Sequence, residues 1–456
     1  MRKKANIRIE TSPPTPSLAA TPTAGPALWA LSFCRLAEAI ALGMLVPFLP
    51  VYLMTLATPW LDAWLAAWSS ATPGAATNRL EQLVVAALVG LDAEAKTALL
   101  FSATAFGTAA IQIAAGRLSD AFDVRKPLIV CGMIGATLCG VTYLLIETFE
   151  SLFVVRVLQG MCVGLTFPPL LAIVARNLSP GRGGRVLGTY TTIRMLGFAS
   201  GPPIGGWISH QYGHVANFSV SALLLGTSAL MVALWVNDAP SRPTTRAERR
   251  ARPKVPGEQR ILGCGIFIAM AGVSGIISLF PSYQREFGAT EQELGLCFSA
   301  FLAGRVLMQY PTGWLGDHYD KKYVLLAALA LFAPLVTLQG FVTSLWQLGM
   351  LRIAIGGAVA AISSCIGGMS AERSVDGNRA RVMGINTLAF SFGVSLGPLL
   401  TGFLADARVA FALPGVASVV LAAVVLGTIR SDRAIKLNST SSTPSASAID
   451  PDPAAA

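Results

Sequence analysis

Gly188, Gly197, Gly201, Pro202 and Gly205 form a spaced ladder inside a segment apolar enough to span a membrane. The same spacing returns in the second half of the chain as Gly384, Gly393, Gly397 and Pro398, with the last glycine displaced to Gly402. Small residues at one-turn intervals let a helix press closely on its neighbour, and a proline at the end lets it bend there. Two copies imply two similar halves. Membrane proteins built that way are most often secondary transporters.

Only 13% of the 456 residues are charged and 53% are hydrophobic, against roughly 25% charged in a soluble domain. Crossing the hydrocarbon takes about 20 apolar residues per helix. Twelve stretches qualify: 28–55, 96–117, 126–146, 152–175, 185–208, 216–236, 261–284, 293–315, 322–342, 345–369, 381–404 and 409–429. The expected fold class is an all-α membrane protein with twelve transmembrane helices in two pseudo-symmetric six-helix bundles. Residues 1–27 lack the apolar core and cleavage site of a signal peptide. They read as a disordered cytoplasmic tail, as does the Ser-, Thr-, Pro- and Ala-rich stretch 431–456.

The net charge of +10 suggests nucleic acid until its distribution is considered. With both termini inside, the inner segments hold 25 of the 34 Lys and Arg, and the outer loops hold four. That asymmetry is the positive-inside rule. It places both termini in the cytoplasm, gives the charge to topology and anionic lipid contact, and excludes nucleic acid as a partner. All seven cysteines lie in apolar spans, so no structural disulfide is expected. His210 and His214 are separated by Gly213 at a helix end. They read as loop residues rather than metal ligands, and no metal site is expected.

The two halves divide at 237–260, a polar, Pro-interrupted stretch with seven basic residues against three acidic. It reads as a cytoplasmic linker between bundles 28–236 and 261–430. Phe101–Asp120 aligns without a gap to Phe298–Asp317, with Phe, Ser, Ala, Gly, Gln, Gly, Leu and Asp coinciding. Six helices per repeat keep both copies in the same orientation. The loop 56–95 breaks the symmetry. It is expected outside, with Trp60, Trp64 and Trp68 on one face of an interfacial segment.

These residues resemble the major facilitator superfamily over 28–430. Gly116-Arg-Leu-Ser-Asp120, followed by Arg125 and Lys126, is similar to the family's signature loop, and Gly313-Trp-Leu-Gly-Asp317 with Lys321 and Lys322 to its second copy. Leu152 to Gly160, around Arg156, resembles the fourth-helix arginine motif. The Gly188–Gly205 ladder and Gly43–Pro50 resemble the fifth- and first-helix motifs of drug:proton antiporters. The signature loop departs from the family where Ala121 and Asp123, and in the second copy His318 and Asp320, replace the usual arginine and glycine. The resemblance implies that Asp120 and Asp317 belong to gating loops, with Arg125 or Lys126 substituting for the missing arginine. It also implies a part for Arg156 in proton coupling.

Glu38 is the one carboxylate deep in any span. Ten residues from Leu28 place it about 15 Å into a core about 30 Å thick. Such a group must be neutral, paired or facing water. Burial favours the neutral acid, a neighbouring guanidinium favours the anion, and Arg35 lies three residues earlier on the same face. Glu38 is therefore a proton or substrate site, or half of a static pair with Arg35. Arg305 and Arg352 are further cavity candidates, and Arg305 is placed either to bind an anionic group or to pair with Glu38. Arg194 is expected to snorkel. Asp120 and Asp317 end helices 2 and 8, where a carboxylate meets a neighbouring helix N-terminus. There they would latch the bundles on the inner side.

The reading that follows is a monomeric secondary transporter of the inner or plasma membrane. It would exchange protons for a small lipophilic or drug-like molecule, with export favoured over uptake of an anionic metabolite. Its partners would be that small molecule, protons and membrane lipids. No cofactor is expected, the proton gradient being the energy source. The rival is a non-transporting sensor or scaffold. A phosphate-binding Gly-x-x-x-x-Gly-Lys-Ser/Thr loop is absent from the sequence, as is any nucleophile–base constellation. ATP-driven pumping and catalysis are thereby disfavoured.

Overall fold

The computed structural model describes residues 24–59, 63, 92–122, 125–176, 183–236, 255–374, 379–404 and 406–429. Most of the terminal tails, of the loop 56–95 with its three tryptophans, and of the linker 237–260 lies outside them.

Among the described residues the regular elements are helices, joined by short turns. The elements are α1 (Ala24–Leu53), α2 (Ala93–Phe122), α3 (Lys126–Thr142) and α4 (Phe149–Arg176). A continuous stretch, Gly183–Trp235, turns at Gly213 and so makes two helices, α5 over 183–212 and α6 over 214–235. Gly213 has φ 79°, a left-handed value that a side chain would resist. The second half holds α7 (Glu258–Phe287, with a 3₁₀ turn at Gly275–Leu279), α8 (Glu291–His318), α9 (Lys321–Leu338), α10 (Leu345–Glu372), α11 (Arg379–Phe403) and α12 (Ala407–Thr428).

Ten segments are long and apolar enough to cross a membrane, and the α5–α6 stretch is one of them. Helix α8 falls short by composition because Arg305, Gln309 and Asp317 dilute it. Its start is well specified. Gly288 ends α7 at φ 63°, and Thr290 and Glu293 form a reciprocal capping box that satisfies two orphan donors. Prolines inside α1, α4, α5, α8 and α11 are tolerated where neighbouring helices re-satisfy the freed carbonyls. Outward faces are apolar: Leu223, Leu230 and Leu234 of α6 and Val416, Val419 and Val420 of α12 are exposed.

Pairing repeats between the halves. Helix α2 packs on α4 as α8 packs on α10, and α1 on α5 as α7 on α11. The halves meet crosswise, α5 on α8 and α11 on α2. One end of the assembly carries the α1–α2 loop and is called here the loop end. The other carries the linker and is called the linker end.

Candidate functional site

The first ladder fixes the centre of the first half. A methyl group at Gly197 would lie 2.7 Å from the Leu36 carbonyl oxygen, and one at Gly201 would lie 2.7 Å from that of Ile40 and 2.9 Å from Gly43 Cα. Gly205 presses on Met44 in the same way. Helices α1 and α5 therefore touch backbone to backbone, in a register that brings Arg194 level with Arg35. Arg35 and Glu38 are ion-paired, and both side chains are almost wholly buried. The Arg35 guanidinium stands 4.7 Å over the Phe167 ring of α4, and Arg194 stands 5.5 Å from the same ring and 5.2 Å from Phe198. Arg194 thus joins the Glu38 cluster instead of snorkelling. The ring between the two cations comes from a third helix, so spacing along α5 alone does not reveal it.

The second ladder repeats the packing. A methyl group at Gly393 would meet the Phe267 carbonyl oxygen at 2.6 Å and Met270 Cβ at 2.7 Å, and Gly397 lies against Ala271. Thr401 occupies the place of Gly205, and its hydroxyl donates to the Gly275 carbonyl at 2.6 Å. Gly402 is therefore no displaced rung. It matches Gly206, and both face the opposite half. A methyl group at Gly206 would lie 2.7 Å from the Glu291 carbonyl oxygen, and one at Gly402 would lie 2.8 Å from that of Glu94.

Arg156 and Arg352 have matched surroundings within their own halves. Arg156 donates to Gln159 Oε1 at 2.8 Å, an atom that also accepts from Tyr143, and lies 5.1 Å over Phe101. Arg352 donates to the Val273 carbonyl at 3.0 Å and to Gln339 Oε1 at 3.3 Å, and lies 5.0 Å over Phe301. Arg305 donates to Ser363 at 3.3 Å. Its partner is thus on α10, while that of Glu38 is Arg35. At the corresponding place in the first half, the Thr108 hydroxyl donates to the Gly160 carbonyl at 3.0 Å.

A cavity of about 510 Å³ opens between α5 and α8 towards the linker end, lined by Thr192, Met195, Val306, Gln309, Tyr310, Gly313, Trp314 and Asp317. Glu38, Arg305 and Arg352 are not in this lining. Asp317 forms no ion pair with another described residue. Of Asp120 the structure describes only the backbone. Lys321 pairs with Glu372 at 2.8 Å, inside the second half. Arg125 is buried at the start of α3, and Gly116 faces Pro168 of α4.

The loop end, by contrast, is shut. A methyl group at Gly295 would stand 2.6 Å from the Pro202 carbonyl oxygen. Ser102 and Ser395 exchange hydrogen bonds between α2 and α11. Glu94 of α2 accepts from Ser282 and Arg285 of α7. The conformation is open at the linker end and closed at the loop end.

The sequence profile described as Major Facilitator Superfamily matches residues 31–263 and 262–451. The multidrug resistance protein MdtG of Enterobacter lignolyticus is 24% identical over 317 residues, covering 66% of this chain and 74% of that protein. A multi-drug resistance efflux pump, the PmrA homolog of Lactococcus lactis, is 24% identical over 326 residues, covering 69% and 80%. Among solved structures, the human organic anion transporter MFSD10 superposes with a TM-score of 0.62 at 19% identity, over 89% of this chain and 100% of that one.

Proposed function

The chain belongs to the Major Facilitator Superfamily, and on that premise we propose that this multi-pass membrane transporter exports a small lipophilic molecule in exchange for protons. The observation that carries the reading is the buried Arg35–Glu38 pair at the α1–α5 contact, with Arg194 sharing the Phe167 face. With Glu38 ionised the three side chains carry one net positive charge; with Glu38 protonated they carry two. Like charges held together away from water repel strongly. Proton binding therefore acts directly on the helix pair that the ladder clamps. Arg35 keeps a partner in either state, because the Phe167 face remains when the carboxylate is neutralised.

The cavity supports the choice of cargo. Met195, Val306, Tyr310 and Trp314 offer apolar and aromatic surface, and Asp317 is the one charged group among the described lining residues. Such a wall favours a neutral or cationic lipophilic molecule over an anionic metabolite. The names of the two bacterial relatives, a multidrug resistance protein and an efflux pump, support export. The Lys/Arg asymmetry supports an inner-membrane location with the termini and linker in the cytoplasm. The linker-end cavity then faces the cytoplasm, ready to load.

The test is a growth-inhibition panel with the gene deleted and overexpressed. Deletion is expected to sensitise cells to a subset of lipophilic compounds, and overexpression to protect against the same subset. A nutrient requirement on deletion, with no change in sensitivity, would contradict export.

A further inference from the structure

Glu94 and Glu291 occupy matching positions when Phe101–Asp120 is laid on Phe298–Asp317. Each opens the second helix of its half, and each lies with its backbone against a glycine of the opposite half. Their partners differ. Glu94 is held by Arg285, a permanent cation whose side chain is 55% exposed. Glu291 faces His214 across the halves, Nε2 to Oε1 at 4.0 Å, and its own side chain is only 13% exposed.

The His214–Glu291 pair is confined but incompletely satisfied. The His214 ring stacks on Phe48 at 5.4 Å and meets Tyr52 edge-on at 5.3 Å, so its place is set from α1. His214 Nδ1 and Glu291 Oε2 are buried without a hydrogen-bond partner. No lysine or arginine among the described residues forms an ion pair with either. The other titratable groups nearby are otherwise engaged or exposed. Tyr52 donates to the Ile146 carbonyl at 3.0 Å and has Glu147 as its charged neighbour. Glu293 is taken up in the cap with Thr290. His210 points outward. From α6, Asn217 donates to Ser209 of α5 at 2.8 Å.

We propose that His214 and Glu291 form a proton-binding site between the halves, occupied by one proton when the loop end is closed and emptied towards that side when it opens. Two protons would bury an imidazolium beside a neutral acid, and none would bury a carboxylate beside a neutral imidazole. One proton gives a pair that is neutral overall and attractive in either arrangement. Burial pushes the Glu291 carboxyl up to about 7, against a smaller lowering by the Ser209 hydroxyl. The same burial lowers His214. Parting of the halves would return Glu291 to water and to an ordinary carboxylate range. Near neutral pH the open form, with Glu291 ionised and His214 neutral, holds no proton there, so the closed form binds it more tightly and closure weakens as pH rises through about 7. In mild acid the open form carries the proton on His214, which burial lowers on closing, so acid adds no further closure. Glu94 joins the halves at the same end through Arg285, a permanent cation. The site is separate from Glu38 and needs only that the halves part at the loop end.

The experiment uses the full chain in nanodiscs without substrate or gradient. Spin labels replace Tyr212 and Trp346, exposed residues of the two halves at the loop end, and the distance between them is read from pH 5 to 9. The wild-type short-distance population is expected to fall as pH rises through about 7. Glu291→Gln should stay short above pH 7, where wild type opens, and Glu291→Asp should restore that opening. Glu94→Gln should reduce the closed fraction while leaving a pH transition in place. A wild-type distance that ignores pH, or a Glu291→Gln protein that keeps the wild-type midpoint, would overturn the site. Because no cargo or proton gradient is used, these outcomes are independent of whether the chain exports anything.

Discussion

The α1–α5 contact of the first half and the α7–α11 contact of the second are built alike and charged differently. Gly197 and Gly201 meet α1 in the register in which Gly393 and Gly397 meet α7. That register places Ile266 opposite Arg35, Ala269 opposite Glu38 and Phe390 opposite Arg194. The second interface is thus apolar where the first holds two cations and an anion. Backbone packing is what the repeat preserves, because helix-to-helix distance in lipid depends on small residues. Charge appears in one copy only. The same division recurs at the loop end, where equivalent glutamates face an arginine in one case and a histidine in the other. Symmetric scaffolding with asymmetric titratable groups is what a device needs if it is to rock as a whole and respond to protons at particular points.

The packing half of this comparison breaks most severely at the ladders. Gly201→Val and Gly397→Val both force a branched side chain against backbone atoms, which one rotamer change does not relieve. Overpacking of this kind costs about 1–3 kcal/mol. Exchange is expected to fall at least about tenfold in both variants, an effect of that order, while ligand affinity measured on the purified proteins stays near wild type. Loss of binding as steep as loss of transport would make the ladder part of the cargo site. An effect in only one copy would deny that the two contacts do the same work.

A smaller effect sharpens the same comparison. Arg156→Lys and Arg352→Lys each remove a planar guanidinium from a buried acceptor, for which the loss is about 1–3 kcal/mol. Thermal unfolding midpoints should drop by similar amounts in the two variants, while Arg156→Lys alone should weaken the dependence of transport on an imposed pH gradient. If both variants keep that dependence, Arg156 is a packing residue as Arg352 is and has no part in proton coupling.

Much of this was legible in the sequence, for physical reasons. Hydropathy over 20-residue windows locates helices because lipid forbids unsatisfied backbone, and glycine spacing points to close helix contacts because small residues let backbones approach, although Gly384 meets nothing. Glu38 and Arg35 announce themselves by their cost in hydrocarbon. What escaped is what depends on a third helix or on the opposite half. Arg194 reads as a snorkelling residue until Phe167 arrives from α4. His214 reads as a loop residue until α8 of the other half brings Glu291 to it. The equivalence of Glu94 and Glu291 was within reach, since the gapless alignment needs only to be carried back from Phe101 and Phe298 to the helix starts. Gly402 reads as a displaced rung because one ladder ends in two adjacent glycines, Gly205 and Gly206, facing different partners, and only the second of these recurs.

The central claim is that proton chemistry sits at Glu38, in the first of the two matched contacts. Its most direct test is substrate flux in proteoliposomes under an imposed pH gradient, with Glu38→Gln beside wild type. The side chain keeps its shape and loses its proton, so the protein should insert and bind cargo while gradient-driven flux falls to background, and Glu38→Asp should keep part of the activity. Gradient-driven flux at the wild-type rate in Glu38→Gln would contradict the account and leave the Arg35–Glu38 pair as packing alone.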